Sequence, residues 1–450
     1  MRRTRATFAF VMIGIGPVLA ACSGAGGSAG LAAVTDTVEG VPRYTYPAEG
    51  GSMLPWRADT TALIGEAFSD EDVYQFDRVP DNGLAGDAQG NVYVLDVAGS
   101  RVLSFDREGV HRATFGRKGE GPGELQQPFG IGLGAADTVW VLDPVNTRFT
   151  GYPQSGADPR VVTLTGVSGF PAPAFAVRSS GFVIQTSPPI RLAGGGSFRM
   201  GAVAGRAGRR VGPPRGGRAA PPIAAGDDTT EVDHSIPILR IGFDGAAGTT
   251  VWRSVPPEMN TVQAGGGDQV MVIAMRAAFT PTLRWAAFDD GSIVVSDKDR
   301  YELSLVATDG AQRMIIARAM APWPVTETER EHARQQVRER QISIRGMNID
   351  MSAMIEQQIQ AMTFAETVPR IADLAVDQQD RIWVGVSLTT PGEVDRVDLY
   401  SKDGEFLGSL AGFEVPAAFF PDGSAASLFR DPDTDVQRVA VYRITEETPR

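Results

Sequence analysis

Short apolar runs alternate with turns rich in Gly and Asp along most of the chain, and the runs repeat. The stretch Asn91–Asp96 returns as Thr138–Asp143 about 47 residues later, with Val, an aromatic residue, Val, Leu and Asp in the same places. Each run is rich in β-branched and aromatic residues, as strands are. Weaker copies near 175–184, 291–297, 380–384 and 419–429 bring the repeated units to six.

Each unit predicts more than one strand. A Gly/Ala-rich segment precedes the apolar run, as at 84–87, 130–133 and 374–377, and further strands follow it. Four antiparallel strands joined by tight turns, repeated every ~40–50 residues, are typical of a β-propeller blade. Small residues in the inner strand suit the crowded axis of such a ring. The sequence therefore predicts an all-β fold, a six-bladed β-propeller.

Closure of the ring requires a strand from the N-terminal side of the chain to complete the last blade. The segment 72–79 precedes the first inner strand and has no partner within its own unit. We therefore expect N-terminal strand closure, with 72–79 as the outer strand of the sixth blade.

Two insertions interrupt the repeats. The first, at about 187–235, is rich in Gly, Ala and Pro and predicts a flexible basic loop. It is either an unselected low-complexity loop or a segment that attracts an anionic glycan, lipid headgroup or acidic protein. Its candidate ligand-binding residues are Arg206, Arg209, Arg210, Arg215 and Arg218.

The second insertion, at about 322–369, predicts helices. Thr326 and Glu329 have the spacing of a capping box, and a later stretch places Met and Ile residues on one helical face. That face either covers apolar core or forms an adaptable groove for a partner.

The N-terminus has the features of an export signal. Three arginines within residues 2–5 precede an apolar run at 6–19, which ends in Leu19-Ala-Ala-Cys22. This ending resembles the bacterial lipobox, which implies a signal peptide over 1–21 and lipidation of Cys22. Because residue 23 is Ser rather than an acid, anchoring in the outer membrane is favoured, with the body in the periplasm or outside the cell.

The residues that follow Cys22 are mostly small. This composition predicts a flexible tether over 22–58 and a propeller body over 59–450, with the body held one domain-width off the membrane.

Charge and cysteine content narrow the function classes. The chain has 42 Lys and Arg against 54 Asp and Glu, a formal net charge of −12, so we expect no binding to nucleic acid. The single Cys excludes an intrachain disulfide. The chain has only three His, too few to favour a histidine-based metal site or catalytic relay.

One stretch carries a family resemblance. The sequence from Gly116 to Pro128, followed by Gly130-Ile-Gly132 and by Val139-Trp-Val-Leu-Asp143, resembles the NHL repeat of six-bladed propellers. The resemblance is specific over 84–156, weaker at 283–310 and 374–407, and loose elsewhere. Envelope lipoproteins of this kind imply a binding role more than a reaction.

The acids that recur from unit to unit are expected to cap turns. Asp96, Asp143 and Asp297 follow the second strand of three units, and a catalytic residue would be needed only once. Glu120 is not repeated and is a candidate for ligand binding at a blade junction.

The predicted function is a lipid-anchored extracytoplasmic module that binds an envelope protein or glycan, with no catalytic residue, metal or cofactor assigned. The alternative is a propeller enzyme of lactonase, lyase or hydrolase type, which would hold calcium or another divalent ion in the central channel. Its best ligands would be Asp87, Asp289 and Asp377.

Overall fold

The computed structural model describes residues 31–66, 69–76, 78–167, 169–187, 235–256, 259–264, 271–342 and 352–446. Strands dominate these residues, and they are arranged as six blades of a β-propeller, as the repeats predict.

Three strands precede the first blade: β1 (Val34–Val38), β2 (Val41–Pro47) and β3 (Arg57–Ile64). Blades 1 to 3 then follow as antiparallel four-stranded meanders. Blade 1 contains β4 (Leu84–Gly86), β5 (Val92–Asp96), β6 (Arg101–Phe105) and β7 (His111–Phe115). Blade 2 contains β8 (Gly130–Gly134), β9 (Thr138–Asp143), β10 (Arg148–Pro153) and β11 (Arg160–Thr163). Blade 3 contains β12 (Phe170–Arg178), β13 (Gly181–Ser187), β14 (Ile236–Ile241) and β15 (Ala247–Ser254).

A separate two-stranded hairpin, β16 (Met259–Ala264) and β17 (Met271–Arg276), lies between blades 3 and 4 in the chain. Blade 4 contains β18 (Arg284–Ala287), β19 (Ile293–Ser296), β20 (Glu302–Val306) and β21 (Gln312–Ala319). The helical insertion follows, with α1 (Glu327–Ile342) and α2 (Ser352–Gln360). Blade 5 contains β22 (Ile371–Val376), β23 (Ile382–Val386), β24 (Arg396–Tyr400) and β25 (Phe406–Ala411). Blade 6 contains β26 (Ala418–Phe419), β27 (Ser424–Arg430) and β28 (Gln437–Thr445).

The apolar core lies between neighbouring blades. Every residue of β5 and β9 is buried, because both faces of a blade pack against the next one. Between blades 2 and 3, the rings of Phe149 and Phe182 stack with centroids 3.8 Å apart, and Trp140 meets Phe182 edge to face. This two-sided burial explains why the second strands are continuous apolar runs.

An N-terminal strand does close the ring, but it is not the predicted one. The outer strand of blade 6 is β3, which pairs antiparallel with β28. Residues Asp72–Tyr74 instead form a single 3-10 turn, and Phe76 and Val79 are buried in the core beside blade 1. The apolar residues of 72–79 therefore serve as packing, while β3 is exposed over most of its length and gives only a weak apolar signal.

The described part of the predicted tether is not flexible throughout. Strand β2 pairs parallel with β21, and β1 pairs with β2, so that blade 4 becomes a six-stranded sheet. The chain then passes along the edge of blade 5, where Met53 bridges Ser409, before it enters blade 6 as β3. We call residues 31–64 the N-terminal belt; Cys22 and the rest of the predicted tether lie outside the described residues.

A buried ion pair fastens the belt. Arg318 of blade 4 and Asp398 of blade 5 are both fully buried, and Arg318 Nη1 donates to Asp398 Oδ2 at 2.6 Å. The other guanidinium nitrogens donate to the carbonyl oxygens of Pro47 and Gly50, each at 3.1 Å. The hydroxyl of Tyr46 donates to the Gly404 carbonyl at 2.8 Å. These contacts fix the belt to blades 4 and 5, although the composition of this segment alone predicts a flexible tether.

The helical insertion forms as predicted. The backbone N–H of Thr326 donates to the Glu329 carboxylate at 2.8 Å, and the hydrogen bond from the Thr326 hydroxyl contributes most to lowering the pKa of Glu329 to about 2. Ile359 of α2 is buried, which supports the core-covering role of that face. Across the described residues, neither helix is long and apolar enough to cross a membrane.

Candidate functional site

One face of the ring carries most of the additions to the blades. The loops after the second and fourth strands of each meander share this face. The Asn146 amide donates to the Gly119 carbonyl at 3.3 Å, and the Thr367 hydroxyl, in the helical insertion, donates to Asp299 at 2.6 Å. We call this the crown face; it bears the turn 119–124 and the helical insertion, as the order of strands predicts.

A central channel of about 830 Å³ runs along the inner strands of all six blades. Every inner strand contributes Gly or Ala to its walls, because the blades crowd together at the axis. At Gly86 a Cβ atom would lie 2.1 Å from the ring of Phe420. The volume falls within the ~300–1,000 Å³ typical of ligand sites.

A carboxylate of the channel wall meets a neighbouring guanidinium near the crown face. Arg284 is the first residue of β18 and Asp373 lies near the start of β22, and inner strands begin at the crown face. Their charged groups are 3.8 Å apart, with 36% and 49% of the side chains exposed. The Asp373 carboxylate therefore remains open to a ligand in the channel, with the partly exposed Arg284 guanidinium beside it.

The environment of Asp373 opposes ionisation. Burial raises the pKa of its carboxyl group, and nearby Asp81 adds to this, while the Leu374 N–H and Arg284 act in the opposite direction. Sequence reasoning missed this pair. The available signal was an Arg and an Asp at the start of inner strands that are otherwise built of small or apolar residues.

Two of the three candidate metal ligands are turn caps. Asp87 accepts hydrogen bonds from the backbone of Gln89 and Asn91, from the Asn91 amide and from the Tyr93 hydroxyl. Asp377 accepts the equivalent four from Gln379, Arg381 and Trp383. Their carboxylate oxygens are thus occupied by hydrogen bonds within the protein. Both residues lie at the end of the inner strands away from the crown face.

The third candidate, Asp289, lies one residue past the equivalent turn position of blade 4, which Phe288 occupies, and is exposed. Throughout the described ranges, no three His, Cys, Asp or Glu side chains lie close enough together to hold a metal ion.

The recurring acids after the second strands also stabilise turns. Asp96 is fully buried; it accepts from the backbone of Arg78 and Gly99 and pairs with Arg101 at 3.0 Å. Asp143 accepts from the backbone of three residues, Gln126, Gln127 and Asn146. Asp297 receives the Trp252 indole N–H at 3.3 Å. The turn-capping interpretation is confirmed for Asp96 and Asp143.

The turn 119–124 is held in place by Arg148. Its guanidinium donates to the carbonyl oxygens of Glu120, Gly121 and Glu124, rather than to a carboxylate as its repeat position suggests. The Gly121 N–H and Arg117 bind the Glu124 carboxylate and lower its pKa. The turn is therefore a fixed part of the crown face.

Glu120 differs from its neighbour Glu124. Its side chain is exposed and has one long contact, from the Gln126 amide at 3.4 Å. It remains an exposed carboxylate of the crown face. The arginines of the first insertion, Arg206, Arg209, Arg210, Arg215 and Arg218, lie outside the described residues.

Comparison by sequence finds no protein-family profile and no curated protein that matches the chain. Solved structures do align with it. A Bacteroides fragilis protein inferred to be exported is 10% identical with a TM-score of 0.42, over 90% of this chain and 99% of that one. A gluconolactonase of Xanthomonas campestris is 12% identical with a TM-score of 0.34, over 88% and 98%. The virginiamycin B lyase of Staphylococcus aureus is 8% identical with a TM-score of 0.34, over 86% and 99%.

Proposed function

We propose that the protein is a lipid-anchored, extracytoplasmic propeller of NHL type that binds an envelope protein or glycan across its crown face. The observation that carries this proposal is the channel itself, which offers a ligand-sized cavity with Asp373 on its wall and Arg284 beside Asp373, near that face.

The chemistry of the pair suits such ligands. Sugar hydroxyls donate to carboxylates and accept from guanidinium groups, and so do the polar side chains of a peptide. The Gly and Ala residues of the inner strands leave room for a ring or a side chain to enter. Glu120 adds a further exposed carboxylate on the same face.

The membrane anchor rests on Cys22. It is the one cysteine of the chain and stands where a lipobox places its lipidated residue. Anchoring in the outer membrane, with the body in the periplasm or outside, is part of this proposal.

Site-directed photo-crosslinking in cells tests the binding role. A photoreactive residue at position 120 reports on the crown face, and one at Glu108, exposed in the turn between the third and fourth strands of blade 1, reports on the opposite face. We expect adducts from position 120 and none above background from position 108. Loss of the adduct after digestion with a glycan-degrading enzyme would identify a glycan.

The channel is tested in the same experiment. Replacing Asp373 with Asn and Arg284 with Gln removes both charges, and we expect the adduct yield to fall about tenfold. Equal yields from both faces, or a yield that the channel variant leaves unchanged, would contradict the proposal.

The second candidate function is an enzyme of lactonase, lyase or hydrolase type acting in the same channel. The raised pKa of Asp373 favours it, since a carboxyl group that keeps its proton to higher pH can act as an acid catalyst. Elemental analysis with melting curves before and after chelation separates the two. A near-stoichiometric divalent ion whose removal lowers Tm would favour the enzyme, and its absence would favour the binding module.

A further inference from the structure

Two arginines of blade 3 line a small cavity at the end of the ring away from the crown face. The cavity has a volume of about 190 Å³ and its walls include Arg178, Arg240, Ser180 and Gly291. Arg178 is the last residue of the inner strand β12 and also lines the central channel. It therefore stands between the cavity and the lower end of the channel.

The Arg178 guanidinium donates its hydrogen bonds to neutral carbonyl oxygens. Its Nε donates to the Phe288 carbonyl at 2.7 Å, Nη1 donates to its neighbour's carbonyl at 2.7 Å, and Nη2 donates to the Ala287 carbonyl. No carboxylate of the described residues lies within ion-pair distance. Burial lowers the pKa of this guanidinium, so its charged form is under-compensated.

Arg240 is similarly short of a counter-ion. Its Nη2 donates to the Ser180 hydroxyl at 3.0 Å, and its Nη1 makes a longer contact of 3.4 Å with the Thr308 carbonyl. A guanidinium has five N–H donors, so three have no acceptor within the part of the chain that is described. At Gly291 a Cβ atom would lie 3.8 Å from Nε and Nη2 of Arg240, so the turn of blade 4 closes over it.

The acids nearby form no ion pair with the two arginines. Asp290 and Asp380 are both bound by Lys402, at 3.0 Å and 2.9 Å. Asp289, Asp380 and Asp290 act on Arg178 through space only, and the side chain of Asp289 is exposed. The three carboxylates match Arg178, Arg240 and Lys402 in number, but within the described residues neither arginine has a carboxylate in direct contact.

We propose that this cavity is an oxyanion site, which binds the carboxylate or phosphate group of a small ligand between Arg178 and Arg240. Guanidinium groups bind oxyanions through paired charge-assisted hydrogen bonds. The cavity exceeds the ~30 Å³ of one water molecule several-fold, so a group of several heavy atoms fits. The site is independent of the function proposed for the crown face, because it lies at the other end of the channel.

Titration of the full chain with sodium acetate and with sodium phosphate, at ionic strength held constant with sodium chloride, tests the site. We expect a saturable rise in Tm and a measurable heat of binding with at least one anion, and the stronger of the two identifies the ligand group. Arg240→Gln should weaken that binding at least tenfold, because it removes charge-assisted hydrogen bonds.

Arg313→Gln is the matched control, since Arg313 is exposed and only loosely paired with Asp309 at 3.8 Å. It should bind the anion as the unmodified chain does. Arg240→Lys keeps the charge but not the fork of donors and should bind with intermediate affinity, which keeps the test valid if Arg240→Gln fails to fold. A chain that shows no saturable response to either anion, or an Arg240→Gln variant with unchanged affinity, would overturn the proposal.

Discussion

Asp87 and Asp377 accept the same four hydrogen bonds in two different blades, two from the backbone and two from side chains. The Asp at this turn in blades 1 and 5 is thus explained by turn geometry. In blade 4 the equivalent position is Phe288, and Asp289, the next residue, is exposed and accepts none of these bonds from the described residues. Asp289 therefore serves as an exposed comparison for the two turn-capping aspartates.

Replacing Asp377 with Ala should lower the free energy of unfolding by about 3 kcal/mol, because four donors lose a buried charged acceptor. Asp289→Ala should change it by less than ~0.5 kcal/mol, as expected for an exposed residue. Chemical denaturation of both variants measures the difference. An Asp377→Ala variant as stable as the unmodified chain would show that the carboxylate is held for another purpose.

Asp373 makes a pH-dependent contribution at the residue scale. Its pKa is raised above the ordinary 3.8, so the folded state binds the proton more tightly than the unfolded state. The stabilisation is complete below pH ~4 and is lost as pH rises through the raised pKa. Asp373→Asn should therefore raise Tm relative to the unmodified chain near neutral pH, with the gap closing or reversing at acidic pH. A Tm difference that is the same at pH 4 and pH 7 would contradict this.

At the scale of elements, the N-terminal belt sets where the folded body begins. A chain that starts at residue 59 begins inside β3 and lacks β1 and β2. Arg318 then loses two carbonyl acceptors, and the ring of Tyr46 leaves the core. We expect a loss of about 5 kcal/mol in the free energy of unfolding. Melting curves of chains starting at residues 31 and 59 measure it, and equal Tm values would contradict a structural role for the belt.

The belt also shows where sequence reasoning stops. The repeats predict six blades because each second strand is a buried apolar run, which can be recognised in the sequence itself. The belt strands β2 and β3 pair with edges presented by β21 and β28, which lie hundreds of residues away. Strands β1 and β3 are mostly exposed and rich in Thr and Asp, so they give no apolar signal. Asp373 and Arg284 are likewise brought together by the ring and by no local pattern.

At the scale of the whole molecule, the belt shortens the path from the proposed anchor to the body. Eight residues, 23–30, separate Cys22 from the first described residue, Leu31. A chain of this length spans at most ~30 Å. The belt begins on the edge of blade 4, and blade 1 lies across the ring of six. An anchored chain is therefore expected to hold blade 4 close to the bilayer and blade 1 away from it.

Fluorescence quenching on vesicles measures this orientation. Because Cys22 is the one native cysteine and would carry lipid, a cysteine introduced at Thr35 in β1 or at Thr114 in β7 gives a single labelling site, and both positions are exposed. Quencher-bearing lipids should reduce the fluorescence of a label at position 35 several-fold more than that of a label at position 114, because quenching needs close approach. Adding about twenty Gly and Ser residues before Leu31 should reduce the difference, since the reach grows with the square root of length. Equal quenching at both positions would mean that the ring lies flat on the membrane. The anchor itself would be rejected if the unlabelled chain fails to bind vesicles and its N-terminal peptide carries no lipid mass.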